Sequence, residues 1–212
     1  DAVRQLTSRG VRIHAGGTDL LGCLRDGVLT AEKVVSLSRI DSLRGIAPSG
    51  GGGLRIGALT TLAAVAANPL IREQCAALAQ AASAAASPQL RNQGTIGGNL
   101  CQRPRCWYFR GEFRCARKGG DACFAVSGEN QYHAIFGGSS CFIVHPSDTA
   151  PALVALNAQV RVVGPAGERV VPLEQFFVLP AASVEKENVL EPNEIISEVL
   201  IPAPPAGQKS AY

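Results

Sequence analysis

The segment from Cys101 to Cys141 constrains this chain more than any other. It carries Cys101, Cys106, Cys115, Cys123 and Cys141 but almost no branched aliphatic residues. Loops longer than about 12–15 residues without structure of their own are uncommon in compact domains, and this one lacks the apolar surface to offset the entropy of ordering it. Something other than a hydrophobic core must staple it. The chain has 7 cysteines, an odd number, and their clustering is of the kind metal sites produce rather than an even disulfide framework. The spacing is irregular and holds no Cys-x-x-Cys pair, which suits iron–sulfur ligands better than a zinc knuckle. Arg103, Arg105, Arg110, Arg114, Arg117 and Lys118 run alongside and would offset the negative charge of a thiolate-ligated cluster. Spacing alone leaves an alternative open: buried free cysteines beside a solvated basic face. Cys23 and Cys75 fall in helical contexts and read as packing residues.

Glycine supplies the second constraint. The 23 glycines against 5% aromatic residues call for many tight turns and close backbone approaches. One such turn, Gly16-Gly17-Thr18-Asp19, sits where the alternating Val11–Ala15 strand runs into a helix over Leu20 to Gly27. Its N–H groups can converge on an anion, and its missing side chains let a diphosphate approach. A plain strand-to-helix turn capped by Thr18 or Asp19 fits the same residues. Gly94-Thr95-Ile96-Gly97-Gly98-Asn99 repeats the theme, and its hydroxyl and amide can hold phosphate or ribose oxygens if both turns face one cleft. Neither turn matches the dinucleotide fingerprint or the Walker lysine pattern, so a nucleotide cofactor would be held by another architecture.

The rest of the chain reads as scaffold. The end of a helix over residues 1–9 and a strand at Lys33–Leu37 complete a small β-turn-α-β lobe. Strands at Leu43–Ile46 and Leu54–Gly57 flank the glycine run of residues 49–53, where the lobe boundary is expected. Thr61 to Ala86 is alanine-rich at helical spacing and broken at Asn68-Pro69, which predicts two helices ending before Pro88. A helix over Thr149–Leu156 follows Asp148, which reads as its N-cap. Gln159–Val163, Glu168–Val171 and Ile195–Ile201 alternate like antiparallel strands. His14, His133 and His145 are dispersed and define no hydrolytic constellation. A formal net charge of +3 gives little reason to expect nucleic acid, and no stretch has the roughly 18–20 apolar residues that span a bilayer.

In combination these motifs resemble the FAD-binding (medium) subunit of molybdenum hydroxylases, such as xanthine dehydrogenase, aldehyde oxidoreductase and 4-hydroxybenzoyl-CoA reductase. Ala15 to Leu21 is similar to that family's first FAD loop, Ile56-Gly57-Ala58-Leu59-Thr60-Thr61 to the following strand, and Arg91 to Asn99 to its second FAD loop. Ser147-Asp148 with Ala150-Pro151-Ala152-Leu153 is similar to the third. The cysteine segment resembles the members that carry an additional 4Fe-4S cluster. The resemblance implies an α+β, two-lobed FAD-binding fold of the vanillyl-alcohol-oxidase (PCMH) type with an inserted iron–sulfur loop over about residues 100–141. It divides the chain into a small lobe, 1–55, a larger lobe, 56–202, and the start of a linker, 203–212, to a further C-terminal domain, so that the chain is expected to be a piece of a longer polypeptide.

Carried over residue by residue, Ala15, Gly16, Gly17, Thr18, Asp19 and Leu20 hold the diphosphate. Gly94, Thr95, Gly98 and Asn99 line the flavin and phosphate side, and Asp148 meets the ribose region. Cys106, Cys115, Cys123 and Cys141 ligate the cluster, with Cys101 as the alternative fourth ligand. Molybdenum cofactor and 2Fe-2S clusters are implied on separate large and small partner subunits, with an external electron acceptor. A cytoplasmic location is expected, or a periplasmic one by export with a partner. Two rival readings are a self-contained FAD oxidase of the same fold and a non-enzymatic metal-stabilised scaffold.

Overall fold

A computed structural model describes residues 2–8 and 10–212. Helix α1 (Ala2–Gln5) leads into strand β1 (Val11–His14), helix α2 (Leu20–Arg25) and strand β2 (Lys33–Ser36). The two strands pair in parallel with His14 opposite Ser36, an arrangement that needs a crossover such as α2 rather than a hairpin. Helix α2 ends before Gly27, whose φ of +66° is open to glycine, and the amides of Val28 and Leu29 bond back to the Cys23 carbonyl.

The larger sheet holds β3 (Ile46–Pro48), β4 (Leu54–Gly57), β5 (Gln159–Gly164), β6 (Gly167–Pro172) and β7 (Ile195–Ile201) in the order β3-β4-β7-β5-β6, with every pairing antiparallel. Strand β3 begins at Ile46 rather than Leu43 because Asp41–Leu43 tightens into a 3-10 turn, the Arg44 amide bonding the Asp41 carbonyl. The glycine run is therefore the tip of a hairpin inside this sheet, and residue 55 lies within β4.

Three helices, not two, occupy the alanine-rich region: α3 (Leu62–Ala67), α4 (Pro69–Gln74) and α5 (Ala76–Ala84). The extra break is at Cys75, where φ −137° and ψ 52° leave the helical region while the side chain stays 2% exposed. That bend lays the alanines of α5 against α9 (Thr149–Ala155), with Ala77, Ala81 and Ala152 packed together. Capping residues match their local chemistry. Thr61, Asn68 and Ser87 accept from the first turns of α3, α4 and α6 (Pro88–Gln93), and Pro69 and Pro88 occupy positions where no N–H is needed. Helices α7 (Ile96–Leu100) and α8 (Trp107–Arg110) bracket the entry to the cysteine segment.

Ile56, Leu78, Ile96, Leu100, Leu153 and Val160 belong to the main core, sealed between the large sheet and its helices. A second cluster of Leu6, Leu37, Leu43, Leu59 and Ile195 ties the parallel pair to that sheet. Residues 203–212 return to the helices, where Ser210 accepts the Ala77 amide at 3.2 Å and the Tyr212 amide donates to Gln80 at 2.8 Å. Among the described residues no helix is long and apolar enough to cross a membrane.

Candidate functional site

The two glycine turns lie in backbone contact. A Cβ on Gly16 would fall 1.9 Å from the Gln93 carbonyl oxygen and 3.2 Å from Gly94 Cα, and one on Gly94 would sit 3.5 Å from Thr18 Oγ1. Gly17 has φ +75°, and a Cβ there would reach within 2.5 Å of His14 Nε2, so both conformation and space demand glycine. The turns differ in their donors. In the second, Ile96 and Gly97 N–H bond the carbonyls of Thr60 and Ala58 at 2.9 Å, Gly98 N–H bonds Thr95 Oγ1 at 3.2 Å, and Asn99 N–H bonds the Thr95 carbonyl at 2.8 Å. In the first, among the described residues, the N–H groups of Gly16, Gly17, Thr18 and Asp19 are spent on no protein acceptor.

A cleft of about 370 Å³ opens beside them, lined by every residue from Ala15 to Leu20 together with Thr95 and Gly98. An adjoining cavity of about 250 Å³ is lined by Gly94, Asn99 and Asp148, and shares Thr18, Asp19, Thr95 and Gly98 with the cleft. All eleven residues singled out for nucleotide binding thus line one or other of two cavities that share wall residues. The cleft is also lined by Glu187, Asn188, Leu190, Ile196, Gln102 and Arg103, none of which the sequence singled out for nucleotide binding.

Two acidic residues behave differently from simple caps. Asp148 makes no side-chain cap bond; Ser147 Oγ accepts the Ala150 amide at 3.0 Å instead, and Asp148, whose Oδ1 accepts from the Tyr212 hydroxyl at 3.5 Å, lines the cavity. Asn99 Oδ1 is held by the hydroxyls of Ser147 and Thr149, each at 2.6 Å, which fixes its orientation. Asp19 also caps nothing. Its carboxylate accepts from the Arg103 amide at 2.7 Å, Arg105 Nη1 at 2.5 Å and Arg110 Nη2 at 2.8 Å. Asp19 thereby fastens the first glycine turn to the start of the cysteine segment. These partners also account for much of the basic run: among its cations, only Arg117 lines the cavity that the cysteines share.

That cavity is separate from the cleft and is lined by Cys106, Cys115, Cys123 and Cys141 with Tyr108, Phe109 and Arg117. Cys101 lies elsewhere, on the cleft wall, where burial pushes its thiol up to about 12. Burial also raises the Cys106 thiol, and Cys115 and Cys141 are close enough to add to the effect. His133 Nε2 approaches Cys106 Sγ at 3.1 Å. Tyr108 and Phe124 line the cavity and pack with Phe113, the three ring centroids 5.0 to 5.9 Å apart. Among the described residues no group of three or more His, Cys, Asp or Glu is gathered tightly enough for a single metal ion. Four thiolates bound to one zinc at ~2.3 Å would crowd together, whereas a 4Fe-4S cluster spreads them around a larger body, one iron per thiolate. Cys106, Cys115, Cys123 and Cys141 on one cavity wall are the all-thiolate donor set that such a cluster takes.

A mixed sheet-and-helix fold with two glycine turns along a cleft is an architecture outside the dinucleotide-fingerprint class. The chain belongs to the family described as the FAD binding domain in molybdopterin dehydrogenase, which matches residues 1–204. It is 38% identical over 207 residues to the aldehyde oxidoreductase FAD-binding subunit PaoB of Escherichia coli (strain K12), an alignment covering 96% of this chain and 64% of that one. The carbon monoxide dehydrogenase medium chain of Hydrogenophaga pseudoflava is 28% identical over 95% of this chain and 54% of its own. A solved structure of that organism's carbon monoxide dehydrogenase superposes with a TM-score of 0.69 at 27% identity, covering 97% of this chain and 56% of that one. Carbon monoxide dehydrogenase from Oligotropha carboxidovorans gives 0.71 at 25% identity, covering 98% and 57%. The fold is that of these PCMH-type flavin subunits, and the chain spans between about half and two thirds of the length of the relatives named here.

Proposed function

We propose that this chain is the flavin and 4Fe-4S electron-transfer portion of a molybdenum hydroxylase of the aldehyde oxidoreductase or xanthine dehydrogenase type. It would take electrons from molybdenum and 2Fe-2S partner subunits and deliver them to an external acceptor. The observation that carries the reading is the convergence of Cys106, Cys115, Cys123 and Cys141 on a cavity of their own, apart from a cleft edged by both glycine turns. When bound, the two groups supply reversible electron transfer, and the protein's part is to position and tune them.

The unspent N–H groups of Gly16 to Asp19 hold the diphosphate, and the absent side chains of Gly16 and Gly94 let it reach the backbone. Asp148, released from capping, accepts from a ribose hydroxyl. Thr95 and Asn99 are pinned by their own hydrogen bonds and shape the wall rather than adapt to the ligand. No side chain of this chain acts as acid or base on the organic substrate, which binds the molybdenum partner. Tyr132, Ile135 and Phe136, 76 to 90% exposed in the cysteine segment, suit burial against such a partner. The proposed compartment is the cytoplasm, because clustered cysteines committed to a metal rather than to disulfides suit a reducing one.

The test is an absorption spectrum of the anaerobically purified chain, before and after acid extraction, with iron and acid-labile sulfide assayed on the same sample. FAD in the extract with about four iron and four sulfide per chain is the expected result. A colourless, iron-free protein after reconstitution with FAD, iron and sulfide would refute the proposal.

A further inference from the structure

Among the described residues Arg117 is the most deeply buried cation in an ion pair, its side chain 1% exposed, and it sits in the 3-10 turn Ala116–Lys118 that follows Cys115. Its Nη1 donates to Glu187 Oε1 at 2.5 Å. The same oxygen lies 3.2 Å from Arg103 Nε, although Arg103 does not direct that hydrogen at it. Two guanidiniums thus share one carboxylate, leaving a surplus positive charge. Arg103, a quarter exposed and stacked 5.0 Å over the Phe109 ring, has water and a π-face to share its charge with. Arg117 has neither, and its Nε and Nη2 are buried without a hydrogen-bond partner. An ionised donor left unmade inside a protein is costly, so such groups are normally satisfied. Arg117 lines the cavity of the four cysteines, and a cluster held by four thiolates is both anionic and rich in sulfur acceptors.

We propose that Arg117 is a built-in counter-charge for the cluster, donating Nε–H and Nη2–H to its sulfurs, and that Glu187 limits the positive charge the cluster feels by sharing Arg117. The inference rests on the cluster reading above. Positive charge and N–H donors favour the form carrying the extra electron, so they raise a cluster's reduction potential. The two residues must then act with opposite sign. Removing the Arg117 charge makes the cluster harder to reduce; removing the Glu187 charge leaves Arg117 less neutralised and makes it easier to reduce.

The experiment is an EPR-monitored redox titration of the FAD-loaded wild type, Arg117→Gln and Glu187→Gln, with iron and sulfide assayed on each sample. A lower potential in Arg117→Gln and a higher one in Glu187→Gln, at unchanged iron, is the expected result. Glu187→Gln decides alone if Arg117→Gln does not hold iron. No shift, or a shift in the same direction in both variants, overturns the proposal, because a triad that merely fastens two loops gives no reason for opposite signs. Iron-free wild type overturns the cluster reading and this inference together, whereas full iron without a potential response overturns this inference alone.

Discussion

Gly16→Ala tests the contact on which the flavin cleft depends. The new Cβ would lie 1.9 Å from the Gln93 carbonyl oxygen, where ordinary contact begins at 3.4 Å, so the turns must part by 1.5 Å (3.4 − 1.9). Neither side gives easily. Gln93 closes α6, and the next residue, Gly94, is held by its amide to Leu90 at 2.7 Å and by its carbonyl to the Leu62 amide at 2.9 Å. Gly16 is not in the left-handed region, so alanine meets no backbone penalty and the cost is steric. Overpacking of this kind costs about 1–3 kcal/mol. Falling wholly on the ligand, that is a rise in the FAD dissociation constant of about 5- to 150-fold at 1.4 kcal/mol per decade; falling on the fold, it lowers the urea midpoint. Gly22→Ala is the control: it lies inside α2 with nothing within 4 Å of its Cβ, and should gain about 0.5–1 kcal/mol from helix propensity. Flavin-fluorescence titrations and urea melts of apo-protein separate the two destinations of the cost. If Gly16→Ala binds FAD and melts like the wild type, the reasoning from the turn-to-turn contact is wrong.

Three further outcomes are expected. Asp19→Asn removes the charge that Arg105 and Arg110 share and should cost about 1–3 kcal/mol, with faster proteolysis between residues 103 and 110; an unchanged urea midpoint would count against the anchor. Burial pulls His145 down to about 4, whereas an unfolded histidine titrates near ~6.5. The unfolded state therefore binds its proton first, so stability falls as pH drops from about 6.5 toward 4, by roughly 1–2 kcal/mol at pH 5. His145→Gln should flatten the difference between urea midpoints at pH 7 and pH 5, and equal pH dependence in both proteins would contradict this. Cys101→Ser should keep its iron while Cys106→Ser and Cys141→Ser lose it, as iron assays on the three variants would show; iron loss in Cys101→Ser would reassign the fourth ligand.

Features legible in the sequence are those set by neighbours in the chain. Strands β1, β5, β6 and β7 follow from alternation, the stops at Asn68-Pro69 and before Pro88 from the geometry of proline, and both turns from their glycines. The break at Cys75 escaped because nothing local forbids a continuous helix there; the demand comes from packing α5 against α9. Asp19 and Asp148 read as caps because cap chemistry is local, whereas the Arg105 and Arg110 side chains that claim Asp19 arrive from the cysteine segment.

By itself, then, the sequence determined the type of strands β1, β2, β4, β5, β6 and β7 and of helices α2 and α9, the two glycine turns, and through its combined motifs the family. Tertiary structure alone decided that Gly16 abuts Gln93, that Cys101 lies on the wall of the glycine-turn cleft, and that Glu187 buries against Arg117. The physical reason is range. Propensity and periodicity act within a few residues, whereas a cavity wall or a shared carboxylate is fixed only when chain segments far apart in sequence are packed into one core.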